Sequence, residues 1–545
     1  SVVLPAAEAV PAQDDVLNEK QAPAEQNKNK ASLWSRLSRK GGKNETPGNE
    51  TFNEKARPTT VAPPAAPNAE KRSLKQRFVD SYRKHYCPRE APTVVLPSCP
   101  TDKEKYSYMS MNRAWLFIKT EWYFFWYALY AVLTEVYIFM SLGITIFGKR
   151  FDLKGHNQKL RDHPLTVETA PTVDIYLPVC KEPIEVLANT WKHVGAMRYP
   201  GIKMQPVVLD DGAQDEVKFL AATFGFRPDF LEKLIPIHLA NPKLAIVQTP
   251  QFFRAPGEQT WVEQGAGSVQ EYFYRLIQPC RNTWGAAICV GSNAVYRREA
   301  LVAVGGTAAA ECSEDVHTGF YAVNRGWELA YAPIVLACGI CPDTPRAFFS
   351  QQMRWCTGSL SLLTHRDFWK SDLAFKQKLC YLSGMMYYSS VATAAFFNPL
   401  PASVLLWTRP ELMKYYNLFF ALPSLLVGLI VIRAWARSPY TLSVQYTQVI
   451  MAYAYLQSFL DRIFGTKLSW VPSGNNKSHK NNRYRNMRVL AWCWTIAHNG
   501  LLISASVYRI MGGLAWWQVF PALLLDAFNL FIVHRFLFYV HAKEA

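Results

Sequence analysis

Hydrophobic positions are distributed along this chain in four different ways. Residues 1–100 show little periodicity and are rich in Pro, Ala, Glu, Lys and Asn. From 122 to 147 the chain is almost wholly apolar, with Glu135 its single charge. Between 172 and 370 short apolar runs alternate with amphipathic segments, and beyond 371 long apolar stretches return. The first pattern cannot bury enough apolar surface to offset the entropy of ordering, and predicts a mostly disordered arm. The second is long enough to span a bilayer. The third is the pattern of βα units on a mostly parallel sheet.

Within the α/β pattern, 173–177 reads as a first strand, 184–197 as a helix and 207–209 as a second strand. Further strands are expected at 245–249, 288–290 and 328–336. Residues 351–355 read as helix, on which Gln351, Arg354 and Trp355 share one face by their i, i+3, i+4 spacing. Beyond 371, the stretches 379–408, 415–432, 489–508 and 514–533 read as spans, the first broken at Asn398-Pro-Leu-Pro401. Asp526 interrupts the last. An acid inside a membrane is by default a functional hypothesis, and a satisfied interhelical hydrogen bond is its commoner use. The stretch 442–464 is apolar but punctuated by Gln445, Gln448, Gln457, Asp461 and Arg462. It reads as an interfacial helix lying on the bilayer.

These readings divide the chain into an arm (1–100), a first membrane region (101–150), an α/β domain (151–370) and a carboxyl-terminal membrane region (371–545). Composition agrees: half of the residues are hydrophobic and 17 are Trp, a membrane-leaning balance. The net charge of +17 suits anionic lipid or phosphate-bearing substrates, but the cytosolic Lys and Arg of a polytopic membrane protein explain it equally well. Lys71 to Arg89 is the densest basic part of the arm. Lys149 and Arg150 place the end of the first span in the cytosol, and Lys477, Lys480, Arg483, Arg485 and Arg488 place 433–488 there too. A single first span would then leave the basic arm outside. A cytosolic arm is favoured, which asks for a second amino-terminal span that this text lacks. An external arm would be glycosylated at Asn44 or Asn49, both in acceptor sequons. The opening residues do not read as a signal peptide. Eleven scattered cysteines predict a reducing compartment, and Cys338-Gly-Ile-Cys341 has no second pair to complete a zinc site.

Candidate chemistry concentrates in a few places. Asp210-Asp211-Gly212 sits at the carboxyl end of the second strand, where ligands bind in open α/β sheets; Asp-Gly is also a common turn. Gly291-Ser292-Asn293 is a small-residue turn suited to lining a pocket. Ser313-Glu314-Asp315 follows a Gly/Ala-rich loop, where an acid or base on a helix start is expected; an N-cap with acidic first-turn residues has the same text. The face of Gln351, Arg354 and Trp355 offers an amide, a fixed cation suited to phosphate and an indole suited to a sugar ring. A carboxylate for deprotonation, a guanidinium for a diphosphate and an aromatic platform together point to glycosyl transfer.

In this order, Asp210-Asp-Gly, Ser313-Glu-Asp and Gln351-x-x-Arg-Trp resemble the processive family-2 glycosyltransferases of the cellulose synthase superfamily, over roughly 115–540. The resemblance implies a GT-A-like cytosolic glycosyltransferase domain in a multi-span α-helical protein of the plasma membrane. It implies a UDP-sugar donor, UDP-glucose first, a Mg2+ or Mn2+ ion, and extrusion of a growing β-linked polysaccharide through the adjacent spans. The expected partners are therefore the donor, the polysaccharide and the lipid bilayer, with no nucleic acid and with a homo-oligomer left open. By position, Asp315 would be the general base on the acceptor hydroxyl. Glu182, Asp210 and Asp211 would hold the nucleoside, Gln351 and Arg354 the diphosphate, and Trp355 the acceptor sugar. Ser313 stands where the family usually has Thr, and Trp470-Val-Pro-Ser-Gly474, within 466–487, occupies the place of a gating loop.

One departure is large. The family carries an Asp-x-Asp between the Asp210 strand and Val247-Gln-Thr-Pro-Gln251, and no Asp lies between Glu216 and Pro228. Phe224-Gly-Phe-Arg-Pro-Asp229 reads as the two flanks of that motif joined at 226/227. No metal ligands are therefore assigned. Cellulose or related β-glucan synthesis is the first expectation, with a chitin or hyaluronan-type synthase, or a catalytically impaired scaffold, as alternatives.

Overall fold

The computed structural model describes residues 125–539, except 180–183, 195–196, 198, 201–203, 211–229, 254–258, 311, 340, most of 418–441, and 467–481. By its contacts the chain divides into Ser1–Lys71 and Arg72–Ala545, and every described residue belongs to the second unit. The arm, both sequons, Glu182, Asp211, the 226/227 junction and most of 415–432 and 466–487 lie outside the described residues.

An apolar helix α1 (Phe125–Ile146) leads to α2 (Leu153–Asp162), whose amino end is capped by the Asp152 carboxylate accepting from the Gly155 amide at 2.9 Å. Strand β1 (Val173–Val179), helix α3 (Ile184–Val194) and strand β2 (Met204–Asp210) then form one βαβ unit. The two strands are parallel and in register from Val173 opposite Met204 to Val179 opposite Asp210. Asp210 therefore ends its strand at the carboxyl edge of the pair, and its side chain lies outside the described residues.

Helix α4 (Phe230–Ala240) precedes β3 (Leu244–Gln248), of which every residue is buried. That is the continuous apolar run of a strand covered on both faces. A short β4 (Gln251–Phe252) follows. Helix α5 (Trp261–Tyr272) passes through one π turn, Phe273–Ile277, into α6 (Gln278–Thr283). The carbonyl of Tyr274 within that turn is taken up by the Tyr331 hydroxyl at 2.8 Å. Then come β5 (Ala294–Tyr296), α7 (Arg298–Val304), α8 (Glu314–Asn324), β6 (Glu328–Tyr331) and β7 (Ala337–Cys338). β3 is central, antiparallel to β5 and parallel to β6, and β4 pairs parallel with β7. The domain is α/β with a mixed, mostly parallel set of pairings.

Two expected strands differ. Residues 288–290 pair with no strand among the described residues, because side chains take their backbone groups: Gln278 Oε1 accepts from Ile288 N at 3.0 Å, and Gln248 Oε1 from Val290 N at 2.9 Å. The run 328–336 is strand only over Glu328–Tyr331, since Pro333 removes a ladder donor two residues on.

The carboxyl-terminal half is helical. α9 (Pro345–Thr364) is capped by Thr344 and followed by α10 (Arg366–Lys370), α11 (Phe375–Phe397) and α12 (Leu400–Thr408). α11 and α12 are bent by 41° at their break, where Pro399 and Pro401 interrupt the ladder. α13 (Leu442–Ile463), α14 (Arg483–Met511) and α15 (Trp516–Leu537) complete the described chain. Among the described residues, α15 is long and apolar enough to cross a membrane, and the bent pair α11/α12 would be a second. The stretch expected to lie flat on a bilayer, α13, forms the hub of the helical half. α13 is buried along most of its length between α5, α9, α11 and α15. Its polar positions serve those contacts: the Tyr455 hydroxyl donates to Gln352 Oε1 at 2.7 Å, and Ser443 to Gln264 Oε1 at 3.2 Å. Asp526 of α15 faces His498 of α14 at 3.5 Å, an interhelical polar contact.

Candidate active site

Asp315 lies in the first turn of α8, with Ser313 before it in the left-handed region at φ 58°. A β-substituted residue there is strained, and two contacts hold it. The first is Gly358 of α9. A Cβ at that position would lie 2.1 Å from Ser313 Oγ and 2.4 Å from its Cβ, so only glycine lets the α9 backbone come this close. The second is His317, one turn into α8, whose Nε2 lies 2.9 Å from Ser361 Oγ and 3.3 Å from the Gly358 carbonyl. The start of α8 is thereby fixed on the middle of α9, the helix that carries Gln351, Arg354 and Trp355.

The Asp315 carboxyl is half-buried; its Oδ1 accepts from the Val316 amide at 2.7 Å, and its Oδ2 faces Gly291. Gly291 has φ 79°, and a Cβ there would meet Oδ2 at 3.0 Å. Burial raises the carboxyl to about 6, against an ordinary value of 3.8, and the neighbouring Glu314 charge pushes the same way. A carboxylate that titrates near 6 and is largely ionised at neutrality, at the mouth of a small-residue turn, is suited to accept a proton.

The turn opposite is held by Gln248, at 1% exposure. Its Nε2 donates to the carbonyls of Thr249 at 2.8 Å and Ser292 at 2.7 Å, and its Oε1 receives Val290 N. Thr249 Oγ1 adds a bond to the Asn293 carbonyl at 2.9 Å, and Ser292 Oγ donates to Gln251 Oε1 at 3.1 Å. Gln248, Thr249 and Gln251 therefore shape the turn that presents Gly291 to Asp315. Sequence reasoning placed these residues at a strand end without a role. Tyr274, buried under the site, receives a bond from the Gln251 backbone, and burial holds its phenol far above the ordinary range. One turn away, Glu271 and Arg275 form a buried ion pair at 2.6 Å.

On α9, Gln351, Arg354 and Trp355 are half-buried while Gln352, Met353 and Cys356 between them are buried. The shared face expected from the spacing exists, and it is the face not consumed by packing. Burial lowers the Arg354 pKa, and the Cys312 thiol beside Ser313 lies within its electrostatic reach. Asp315 and Arg354 thus stand on two helices joined at Ser313–Gly358. Asp210 ends its strand as expected, while Glu182 and Asp211 lie outside the described residues.

The divalent ion implied by the resemblance finds no gathered donor set among the described residues, which leave out Asp211 to Asp229. Among the described residues no three His, Cys, Asp or Glu gather as ligands, and the carboxylate nearest in sequence to Asp315, Glu314, is exposed. Cys341 is a buried free thiol in the apolar core.

Comparison with known proteins adds three findings. The model of the family described as glycosyl transferase family group 2 matches residues 223–533. Among curated proteins, the chain is 26% identical over 376 residues to the UDP-forming cellulose synthase catalytic subunit of Pseudomonas fluorescens, covering 61% of this chain and 49% of that one. It is 27% identical over 319 residues to cellulose synthase 2 of Novacetimonas hansenii, covering 51% and 20% respectively. The chain thus spans from a fifth to about half of the length of these relatives. Among solved structures it is similar to the mannosyltransferase PcManGT of Pyrobaculum calidifontis, in complex with GDP-Man and Mn2+. That likeness has a TM-score of 0.38 at 15% identity over 62% of this chain and all of that one, too loose to locate a site.

Proposed function

Because the chain belongs to glycosyl transferase family group 2, we propose that this glycosyltransferase moves a sugar from a UDP-sugar to a growing β-linked polysaccharide with inversion at the anomeric carbon. The observation that carries the reading is Asp315: a half-buried carboxyl with pKa about 6, pressed to Gly291 and latched to the helix of Gln351, Arg354 and Trp355. In the proposed step, Asp315 takes the proton of the acceptor hydroxyl as its oxygen bonds to the anomeric carbon. The bond from that carbon to the β-phosphate oxygen breaks, and its electron pair leaves with UDP. The guanidinium of Arg354 and the amide of Gln351 meet the charge on the diphosphate. Trp355 stacks on the acceptor sugar. Glu182, Asp210 and Asp211 hold the nucleoside.

The same reading gives 151–370 a GT-A-like arrangement facing the cytosol. It makes 101–150 and 371–545 the membrane regions of a multi-pass plasma-membrane protein that exports its product. Glucose is the favoured sugar, because relatives named as UDP-forming cellulose synthases are 26–27% identical over 47–61% of this chain; N-acetylglucosamine or hyaluronan-type donors are the enzyme alternative. A second reading, an impaired scaffold in a synthase complex, is favoured by one observation, the missing Asp-x-Asp between Asp210 and Val247. Radiolabel incorporation from a panel of UDP-sugars, with Mg2+ or Mn2+ added, separates the two. Transfer from one donor supports the synthase; UDP binding without transfer from any donor supports the scaffold.

A further inference from the structure

A second chemical arrangement stands where α1 and α11 leave the α/β domain. α6 and the residues after it tie both helices to one level. Trp284 Nε1 donates to the Ile144 carbonyl at 3.1 Å, the Lys149 amide donates to Thr283 Oγ1 at 2.8 Å, and Gln377 Nε2 donates to the Gly285 carbonyl at 2.8 Å. α1 therefore ends and α11 begins at the same height.

At that height two large apolar side chains stand in the open, Phe147 at 66% exposure and Phe375 at 77%. The Phe147 ring meets Trp284 edge-on at 6.3 Å, and Lys376 Nζ lies 5.0 Å from the centroid of the same indole. Lys378 Nζ donates to the carbonyl of Trp369, itself 58% exposed. Lys149 and Arg150 are exposed next to Phe147, and the nearby Asp152 is turned away to cap α2. Open aromatic rings are unfavourable in water and ammonium groups are unfavourable in hydrocarbon. Both are satisfied at once in the headgroup zone of a bilayer, and the excess of cations favours a negative headgroup.

We propose that Phe147, Lys149, Trp284, Phe375, Lys376 and Lys378 form a binding site for an anionic phospholipid. The rings enter the acyl-chain boundary, and the ammonium groups of Lys376, beside Trp284, and of Lys378, beside Trp369, meet the negative headgroup from two sides of α11. The site rests on the reading that α1 and α11 enter a bilayer at this level. It adds a lipid of defined charge, at the junction that carries the α/β domain.

The test uses the full chain in nanodiscs of phosphatidylcholine with about one-third phosphatidylglycerol, with the lipids it retains counted by native mass spectrometry. The wild type is expected to hold phosphatidylglycerol about fivefold or more over its share of the bilayer. A Lys376→Gln/Lys378→Gln variant falls to parity, and Lys376→Arg/Lys378→Arg keeps the preference, which excludes misfolding as the cause. Equal retention of both lipids by the wild type, or an unchanged preference in the Gln variant, overturns the site. Extraction of the chain from membranes by alkaline carbonate overturns the membrane reading and the site with it. Resistance to extraction without lipid preference overturns the site alone.

Discussion

Replacing Asp315 by Asn tests the chemistry and the stability of the site in one variant. The folded carboxyl has its pKa raised from 3.8 to about 6. At 1.36 kcal/mol per unit, ionising it in the fold costs about 3 kcal/mol, an upper figure for a half-buried group. The sign follows from linkage. Between the unfolded and folded values the native state binds more protons, so this group's contribution falls as pH rises from about 4 to about 6, and stays low above that. Asn has the same shape, keeps an oxygen for the Val316 amide and carries no charge. The variant should therefore match the wild type in unfolding free energy near pH 4 and exceed it by about 2–3 kcal/mol near pH 7.5. Its sugar transfer should fall by about 10²–10⁴-fold, the usual contribution of a general base. Chemical unfolding at a series of pH values, beside a transfer assay on the same preparation, reads both. A stability difference independent of pH would refute the buried-carboxyl argument, and retained transfer would refute the role as base.

The wild-type rate of transfer should fall on the acid side with a midpoint near 6, since the base works ionised; a flat profile from about pH 5 to about pH 8 would contradict that. Gly358→Ala puts a Cβ 2.1 Å from Ser313 Oγ. It should cost about 1–3 kcal/mol and lower kcat more than it raises KM, because α8 must shift with Asp315 on it. Gln248→Ala removes the bonds that shape 290–293, and unfolding should show a loss of about 1–3 kcal/mol. Arg354→Lys keeps the charge but not the fork, so calorimetry should find UDP binding weakened by about tenfold and kinetics a larger loss in kcat/KM.

Much of this site is legible in the sequence, because its parts are local. Helix spacing alone puts Gln351, Arg354 and Trp355 on one face, and a Gly/Ala-rich loop before Ser313-Glu-Asp marks a helix start with an acid on it. The contacts that make these parts a site are long-range and leave weaker traces. Gly358 inside α9 is the one visible signal of a close crossing, and nothing local says that Ser313 is what crosses there. The same holds for Gln248: a polar residue ending an apolar strand is ordinary, yet its amide organises a turn more than forty residues away. Residues 288–290 have strand-like text because they are buried or partly buried, but side-chain amides replace the neighbouring strand. The polar punctuation of α13 was ambiguous for a related reason. Gln, Ser and Tyr on an apolar helix serve protein partners as well as a headgroup layer, and the packing of α9 and α5 on it shows the first of these uses.

Sugar transfer with Asp315 as the base is tested most directly by incorporation of radiolabel from UDP-glucose, UDP-N-acetylglucosamine and UDP-glucuronate by the purified full chain in lipid nanodiscs, wild type against Asp315→Asn. Polymer-bound label is expected from one donor, UDP-glucose first, and is expected to be lost in the variant. Label from no donor while UDP still binds, or equal label in both proteins, would contradict it.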